Sequence, residues 1–150
     1  MLTTDLKPGA VYGGYDASAA SALIDELGVR ADIAMLNSVP YEQLHQLYQL
    51  CDAYVCPSYA ESFGHPLVEA MASGVPVAAA DLPIHREICG EAALYFKAFE
   101  EKALAEQCAR LLLEAPLRNK LIGKGKQRSQ EFSWDKHCEG LTALIRSCLA

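Results

Sequence analysis

Glu61-Ser62-Phe63-Gly64-His65-Pro66-Leu67-Val68-Glu69-Ala70-Met71 is the stretch around which the chain is organised. It places one carboxylate just ahead of a predicted helix and a second one turn inside it. Gly64 permits a sharp backbone turn because it has no Cβ. Pro66 suits the first helical position, where a missing N–H costs nothing. The helix is expected from about Pro66 to Ser73, stopping at Gly74. An apolar strand candidate precedes it (Ala53 to Pro57) and another follows (Pro76 to Ala80). Free N–H groups at a helix start, beside the positive end of its dipole, form a ready site for phosphate. Pro66 removes one donor, so the amides of Phe63, Gly64, His65 and Leu67 are left to supply the rest.

The predicted helix is Leu, Val, Ala and Met almost all round, which marks it as buried. Glu69 is its only charge. A carboxylate in such a place needs hydrogen-bond donors. A vicinal diol, such as a ribose, offers two. Capping of backbone amides, or pairing with a buried Arg, would satisfy Glu69 equally well. Glu61, taken by itself, reads as a solvated loop residue.

Outward from this stretch, short apolar runs alternate with helical patterns. Ala10-Val11-Tyr12 reads as the end of a strand before Gly13-Gly14. Ala17 to Leu27 reads as a helix ended by Gly28, and Ile33 to Leu36 as a short buried strand. Tyr41 to Cys51 is a predicted helix with Leu44, Leu47, Tyr48 and Cys51 on one face. Strands are expected at Ala53 to Cys56, Val75 to Ala80 and Ala93 to Phe96, with a short helix over Leu82 to Cys89. Beyond Phe99 the chain reads as helical: Lys102 to Leu113, Leu117 to Ser129 and Trp134 to Leu149, with Ser133 as N-cap of the last. Such alternation predicts an α/β fold with a parallel, doubly wound sheet. Its ligands should bind at the carboxyl ends of the strands. A receiver-like domain shares that architecture. Asp52 and Asp81 lie near strand ends, but no acidic pair follows the first strand and no lysine is placed for that role.

The residues quoted above resemble the EX7E motif of retaining glycosyltransferases with the GT-B fold, specifically glycosyltransferase family 4. Glu61 and Glu69 have seven residues between them. The resemblance extends to Pro57-Ser58, to Glu69-Ala70-Met71-Ala72-Ser73-Gly74-Val75-Pro76-Val77, and to Leu82-Pro83 with Arg86-Glu87. It continues through Gly90-Glu91-Ala92-Ala93-Leu94-Tyr95-Phe96 and Phe132-Ser133-Trp134. It covers roughly residues 30 to 149. It implies a Rossmann-like, donor-binding GT-B half with a helical C-terminal tail, a single incomplete domain whose α/β part ends near residue 99. By the same resemblance, Glu61 would contact the hydroxyls of a donor sugar and serve as the catalytic carboxylate. Ser62, Phe63, Gly64, His65 and Leu67 would hold sugar and diphosphate oxygens, and Glu69 the ribose. Asn37, Ser38 and Val39 would lie beside the base. The implied substrate is a nucleotide-diphosphate sugar, with neither cofactor nor metal at the donor site.

The chain departs from that family in two ways. The Arg and Lys pair that clamps the diphosphate has no match, Lys7 lying in a dissimilar context. The acceptor-binding N-terminal domain is also missing, so the implied partner is that domain or a separate chain. The last helix packs against that domain in the resembled family. Part of Leu141, Leu144, Ile145 and Leu149 is therefore expected to be exposed. Three readings follow: part of a transferase that needs a partner, a nucleotide-binding module without catalysis, or a protein-interaction remnant.

Composition sets the outer limits. The 150 residues are 51% hydrophobic and 21% charged, as in ordinary globular domains. Residues 1–114 carry 6 basic and 16 acidic residues, against 7 and 3 in residues 115–150. An acidic chain without aromatic and basic interleaving does not read as a nucleic-acid binder. No apolar run is long enough to span a bilayer, and no signal-peptide pattern is seen at the N-terminus. The expected location is therefore cytoplasmic, where the six dispersed cysteines would stay reduced. His85 reads as a polar loop residue. Arg118, Lys120, Lys124, Lys126 and Arg128 lie on one helix candidate. That run is expected to be a solvated face, with peripheral contact to anionic lipid as the minor alternative.

Overall fold

The computed structural model describes residues 11, 12, 15, 16, 18–36 and 39–149. The chain divides into two compact units, residues 1–44 and 45–150. In the first, β1 (Val11–Tyr12) and β2 (Tyr15–Asp16) pair antiparallel. Helix α1 (Ser18–Glu26) follows. Gly28 ends it as the sequence predicts, at φ +67, with Val29 N–H donating to Ile24 O and Gly28 N–H to Asp25 O. The expected strand over Ile33 to Leu36 does not form. A 3₁₀ turn occupies Arg30–Asp32 and only a single bridge residue, Met35, follows. A run of four apolar residues cannot by itself tell a strand from other half-buried backbone. Here Ile33, Met35 and Leu36 are only half-buried and Ala34 is exposed.

Helix α2 (Tyr41–Gln49) spans the division between the units. The second unit is built on a three-stranded parallel sheet, β3 (Tyr54–Cys56), β4 (Val77–Ala80) and β5 (Ala93–Phe96), in that spatial order. Helix α3 (His65–Ala72) links β3 to β4, and α4 (Pro83–Cys89) links β4 to β5. Helices α5 (Glu101–Leu113), α6 (Ala115–Ser129) and α7 (Trp134–Leu149) complete the chain.

Alternation along the strands divides the core into two layers. Tyr54, Cys56, Val77, Ala79, Ala93 and Tyr95 pack with Leu67, Ala70 and Met71 of α3 and with Ile88 and Cys89 of α4. Val55, Ala78, Ala80, Leu94 and Phe96 pack with Leu111 of α5 and Leu121 of α6. The central strand β4 reads Val-Ala-Ala-Ala and has no exposed residue. Alanine is a poor strand former, so burial on both faces decides the conformation here rather than propensity. Gly125 of α6 lets that helix meet α3: a Cβ there would lie 3.2 Å from Met71 Cγ.

His85 is fully buried on α4, contrary to the polar-loop expectation. Its place in the core is possible because both ring nitrogens find partners. Nδ1 is 2.8 Å from Ala80 O and Nε2 is 3.8 Å from Cys56 Sγ. A carbonyl only accepts, so Nδ1 carries the hydrogen and Nε2 accepts from the Cys56 thiol.

The basic run on α6 is largely engaged within the protein. Lys124 pairs with Glu91 and Arg128 with Glu131. Arg128 also donates to Ile88 O (3.0 Å) and Glu87 O (2.6 Å), placing a cation at the C-terminal end of α4. Arg118 donates to Leu112 O at 3.2 Å. Among the described residues, no helix is long and apolar enough to cross a membrane.

Candidate functional site

The strand β3 ends at Cys56, and residues 57–64 carry the chain from the carboxyl edge of the sheet into α3. Gly64 makes the entry at φ +91 and ψ +51, in the left-handed region open to glycine. His65 is the first helical residue and Pro66 the second. At its other end α3 stops with Gly74 at φ +77. Val75 N–H donates to Ala70 O (3.0 Å) and Gly74 N–H to Met71 O (3.1 Å), the double closure that glycine favours. Both ends of this helix are thus set by backbone that only glycine adopts without strain.

The approach loop is held by aromatic contacts. Phe63 lies 4.8 Å from the His65 ring and 5.8 Å, edge to face, from Phe132. Phe132 in turn sits 4.9 Å from the Arg128 guanidinium. Glu61, Ser62 and His65 are exposed, Phe63 and Glu69 half-buried, and Gly64 buried. Among the described residues, the amides of 62–65 donate to no other group. The Leu67 amide is different. It donates to Gly64 O at 2.9 Å, and the Leu67 side chain is fully buried. Leu67 therefore belongs to the first helical turn and the core. Its amide is thus engaged within the first helical turn, unlike those of residues 62–65.

Glu69 lies one turn further along α3, and its partner is neither a backbone amide nor an arginine. Tyr48 Oη donates to Glu69 Oε2 at 3.0 Å. Burial, and then the Glu69 carboxylate, push the Tyr48 phenol well above the usual tyrosine range, so it remains a donor. The Tyr48 ring packs edge to face on Tyr54 at 5.7 Å. His45 Nδ1 lies 3.0 Å from Ser73 Oγ, a second tie between α2 and the C-terminal end of α3. The sequence placed Tyr48 only on an apolar helix face. Nothing local signals a bond to a residue 21 positions away.

Arg86, a cation close to the carboxyl edge, is already paired. Its Nε and Nη2 donate to the two carboxylate oxygens of Asp81 at 2.5 and 2.7 Å. Its guanidinium also lies 4.4 Å from the Tyr95 ring centroid. The hydrogen bond from Arg86 holds the Asp81 carboxyl below its usual range. Glu61, Ser62, Phe63, Gly64, His65 and Glu69 are thus brought together on one loop and one helix. Asn37, Ser38 and Lys7 lie outside the described residues, and Val39 belongs to the unit of residues 1–44. No group of three or more His, Cys, Asp or Glu placed to hold a metal occurs among the described residues. All six cysteines are free thiols, and burial pushes Cys89 up to about 12. A separate open cleft of about 480 Å³, walled by Arg86, Gly90, Lys124 and Arg128 among others, shares no residue with this set.

Chemically, the arrangement offers unpaired amides at a helix start, one exposed carboxylate beside them, and a second carboxylate held by a phenol. Comparison with known proteins gives that arrangement a context. The sequence profile of the family described as "Glycosyl transferases group 1" matches residues 10–128. The chain is 34% identical over 155 residues to a D-inositol 3-phosphate glycosyltransferase of Segniliparus rotundus, an alignment covering 95% of this chain and 34% of that protein. Its fold is similar to that of a sucrose-phosphate synthase from Thermosynechococcus elongatus. The TM-score there is 0.82, with 24% identity, over 94% of this chain and 37% of the other. An Anabaena protein, HepE, solved with UDP and glucose, aligns with a TM-score of 0.80 and 23% identity, over 87% and 36% of the two chains. The chain spans about a third of the length of the curated relatives it matches.

Proposed function

We propose that this chain, which belongs to the group 1 glycosyl transferases and has a GT-B-type α/β fold, is the donor-binding part of a retaining hexosyltransferase. It would act with an acceptor-binding N-terminal domain or partner chain. One observation carries this reading. Two carboxylates, Glu61 and Glu69, flank unengaged amides at the N-terminus of α3, on the carboxyl edge of a parallel sheet. Ligands in such sheets bind at that edge.

The chemistry follows from the charges. The leaving group is a nucleoside diphosphate, so negative charge grows on a phosphate oxygen as the glycosidic bond breaks. Preorganised amides of Ser62, Phe63, Gly64 and His65, with the positive end of the α3 dipole, stabilise that charge without reorganisation. Glu61 orients sugar hydroxyls and favours the oxocarbenium-like centre. Glu69 accepts from the ribose diol. In this reading the diphosphate charge is met by amides and dipole, not by a bound metal or cofactor.

The engagement of Arg86 with Asp81 favours a second, narrower reading. With that cation already paired, the chain would bind nucleotide without turning it over alone. Calorimetric titration with UDP, GDP, ADP and their sugar conjugates tests the first reading. Saturable binding of one nucleotide, weakened in Glu69→Ala, supports a working donor half and names the base. No binding by the folded chain overturns it. Sugar transfer by the purified chain alone would instead overturn the need for a partner.

A further inference from the structure

The bond from Tyr48 to Glu69 has no role in the mechanism above, yet it joins a half-buried phenol to the carboxylate assigned to the ribose. Tyr48 stands on α2, and its ring is braced by Tyr54 of β3 at 5.7 Å. Its hydroxyl reaches Glu69 Oε2 at 3.0 Å. The phenol therefore arrives from a direction fixed by packing rather than by solvent. A glutamate side chain has several rotamers, and holding one of them costs entropy that binding must otherwise supply. A carboxylate has about four acceptor positions on its two oxygens. One bond from Tyr48 leaves Oε1 and part of Oε2 available, enough for the two O–H groups of a vicinal diol.

We propose that Tyr48 is a positioning residue that holds the Glu69 carboxylate in the orientation that accepts the 2′- and 3′-hydroxyls of a nucleoside diphosphate. It thereby sets preference for ribonucleotides. This rests on the reading of Glu69 as the ribose ligand. It adds that the selectivity depends on a residue of a different helix, 21 positions earlier in the chain. Tyr48 contributes no contact to the nucleotide in this scheme and acts only through Glu69.

The test compares affinity for the nucleoside diphosphate identified by titration with affinity for its 2′,3′-dideoxy analogue. The proteins compared are the wild type, Tyr48→Phe, Glu69→Ala and the double variant. Tyr48→Phe keeps the ring packed on Tyr54 and removes only the hydroxyl. It is expected to weaken the ribonucleotide by about five- to tenfold, the size of one lost hydrogen bond. The dideoxy analogue is expected to bind it as it binds the wild type. Glu69→Ala should abolish the preference for ribose, and the double variant should lose no more than Glu69→Ala does. A loss equal for both ligands in Tyr48→Phe would make Tyr48 merely structural and overturn the proposal. An undiminished preference in Tyr48→Phe, with the preference lost in Glu69→Ala, would overturn it while leaving the ribose reading intact. A preference untouched by Glu69→Ala, or no nucleotide binding by the wild type, would overturn both.

Discussion

Helices α3 and α7 lie at opposite extremes of the same structure. The first has 8 residues and buries Leu67, Ala70 and Met71; the second has 16 and buries none. Length favours α7, since isolated helices shorter than about 12–15 residues are marginal in water. Packing reverses that order. Helix α3 is bounded by two left-handed glycines, meets Gly125 of α6 through Met71, and lies against the sheet. Helix α7 keeps its cap, with Lys136 N–H donating to Ser133 Oγ at 3.2 Å. Its Leu144 and Ile145 nonetheless stand 61% and 52% exposed. Under the proposed function Glu69 must be held to a fraction of an ångström, and it stands on the first kind of helix.

The largest test of this contrast is one substitution made in both helices. Leu67→Ala removes a fully buried side chain and is expected to cost about 2–5 kcal/mol. Leu144→Ala should cost under about 0.5 kcal/mol. Denaturant unfolding followed by circular dichroism measures both. Trp134, the single tryptophan, sits 78% exposed on α7 and would report poorly on the core. A cost above about 1 kcal/mol for Leu144→Ala would break the contrast, because it would mean that α7 is covered in solution.

The same contrast explains what the sequence made legible. The buried parallel strands β3, β4 and β5 appear as short apolar runs between turn residues, because both faces are covered. Helix ends were legible where a glycine or a cap residue sits: Gly28, Gly74 and Ser133 each act locally. The run from Ile33 to Leu36 misled because four apolar residues by themselves specify no ladder, and only Met35 makes a bridge. His85 misled because its partners, Ala80 O and Cys56 Sγ, come from two different strands. The bond from the Leu67 amide to Gly64 O depends on where the helix begins, which a sequence pattern resolves only to within a residue or two. The Tyr48 to Glu69 bond is a contact of tertiary geometry with no local signal to announce it, and the Asp81 to Arg86 pair, though local, falls at no helical spacing.

Two glycines sharpen the comparison at the next level of effect. Gly28 and Gly64 both have positive φ, at +67 and +91. A Cβ on Gly28 meets nothing within 4 Å, whereas on Gly64 it lies 2.9 Å from Leu67 Cδ1. Alanine at either position incurs about 1–2 kcal/mol of backbone strain. At Gly64 the overlap with a fully buried leucine adds about 1–3 kcal/mol. Gly64→Ala should also displace the amides of residues 62–65 and weaken nucleotide binding in the titration. Gly28→Ala should leave that binding unchanged. Equal unfolding costs for the two variants would mean that Leu67 yields freely, and that the entry to α3 is less constrained than its packing indicates.

The smallest expected effect comes from the Asp81–Arg86 pair, because both side chains are substantially exposed, at 42% and 56%. Arg86 holds the folded-state Asp81 carboxyl below its ordinary value near 3.8. A depressed acid stabilises the fold above its unfolded pKa, and that contribution disappears as pH falls through the folded value. Asp81→Asn should therefore be slightly less stable than the wild type at pH 6. The gap should begin to close below about pH 4, where the unfolded carboxyl takes up its proton. Raising the salt to about 1 M at pH 6 should shrink it as well, since an exposed pair is screened. A gap that survives both acid and salt would locate the loss elsewhere, in the packing at the start of α4. The carboxyl edge would then resemble the buried body of α3 in what holds it, rather than the exposed face of α7.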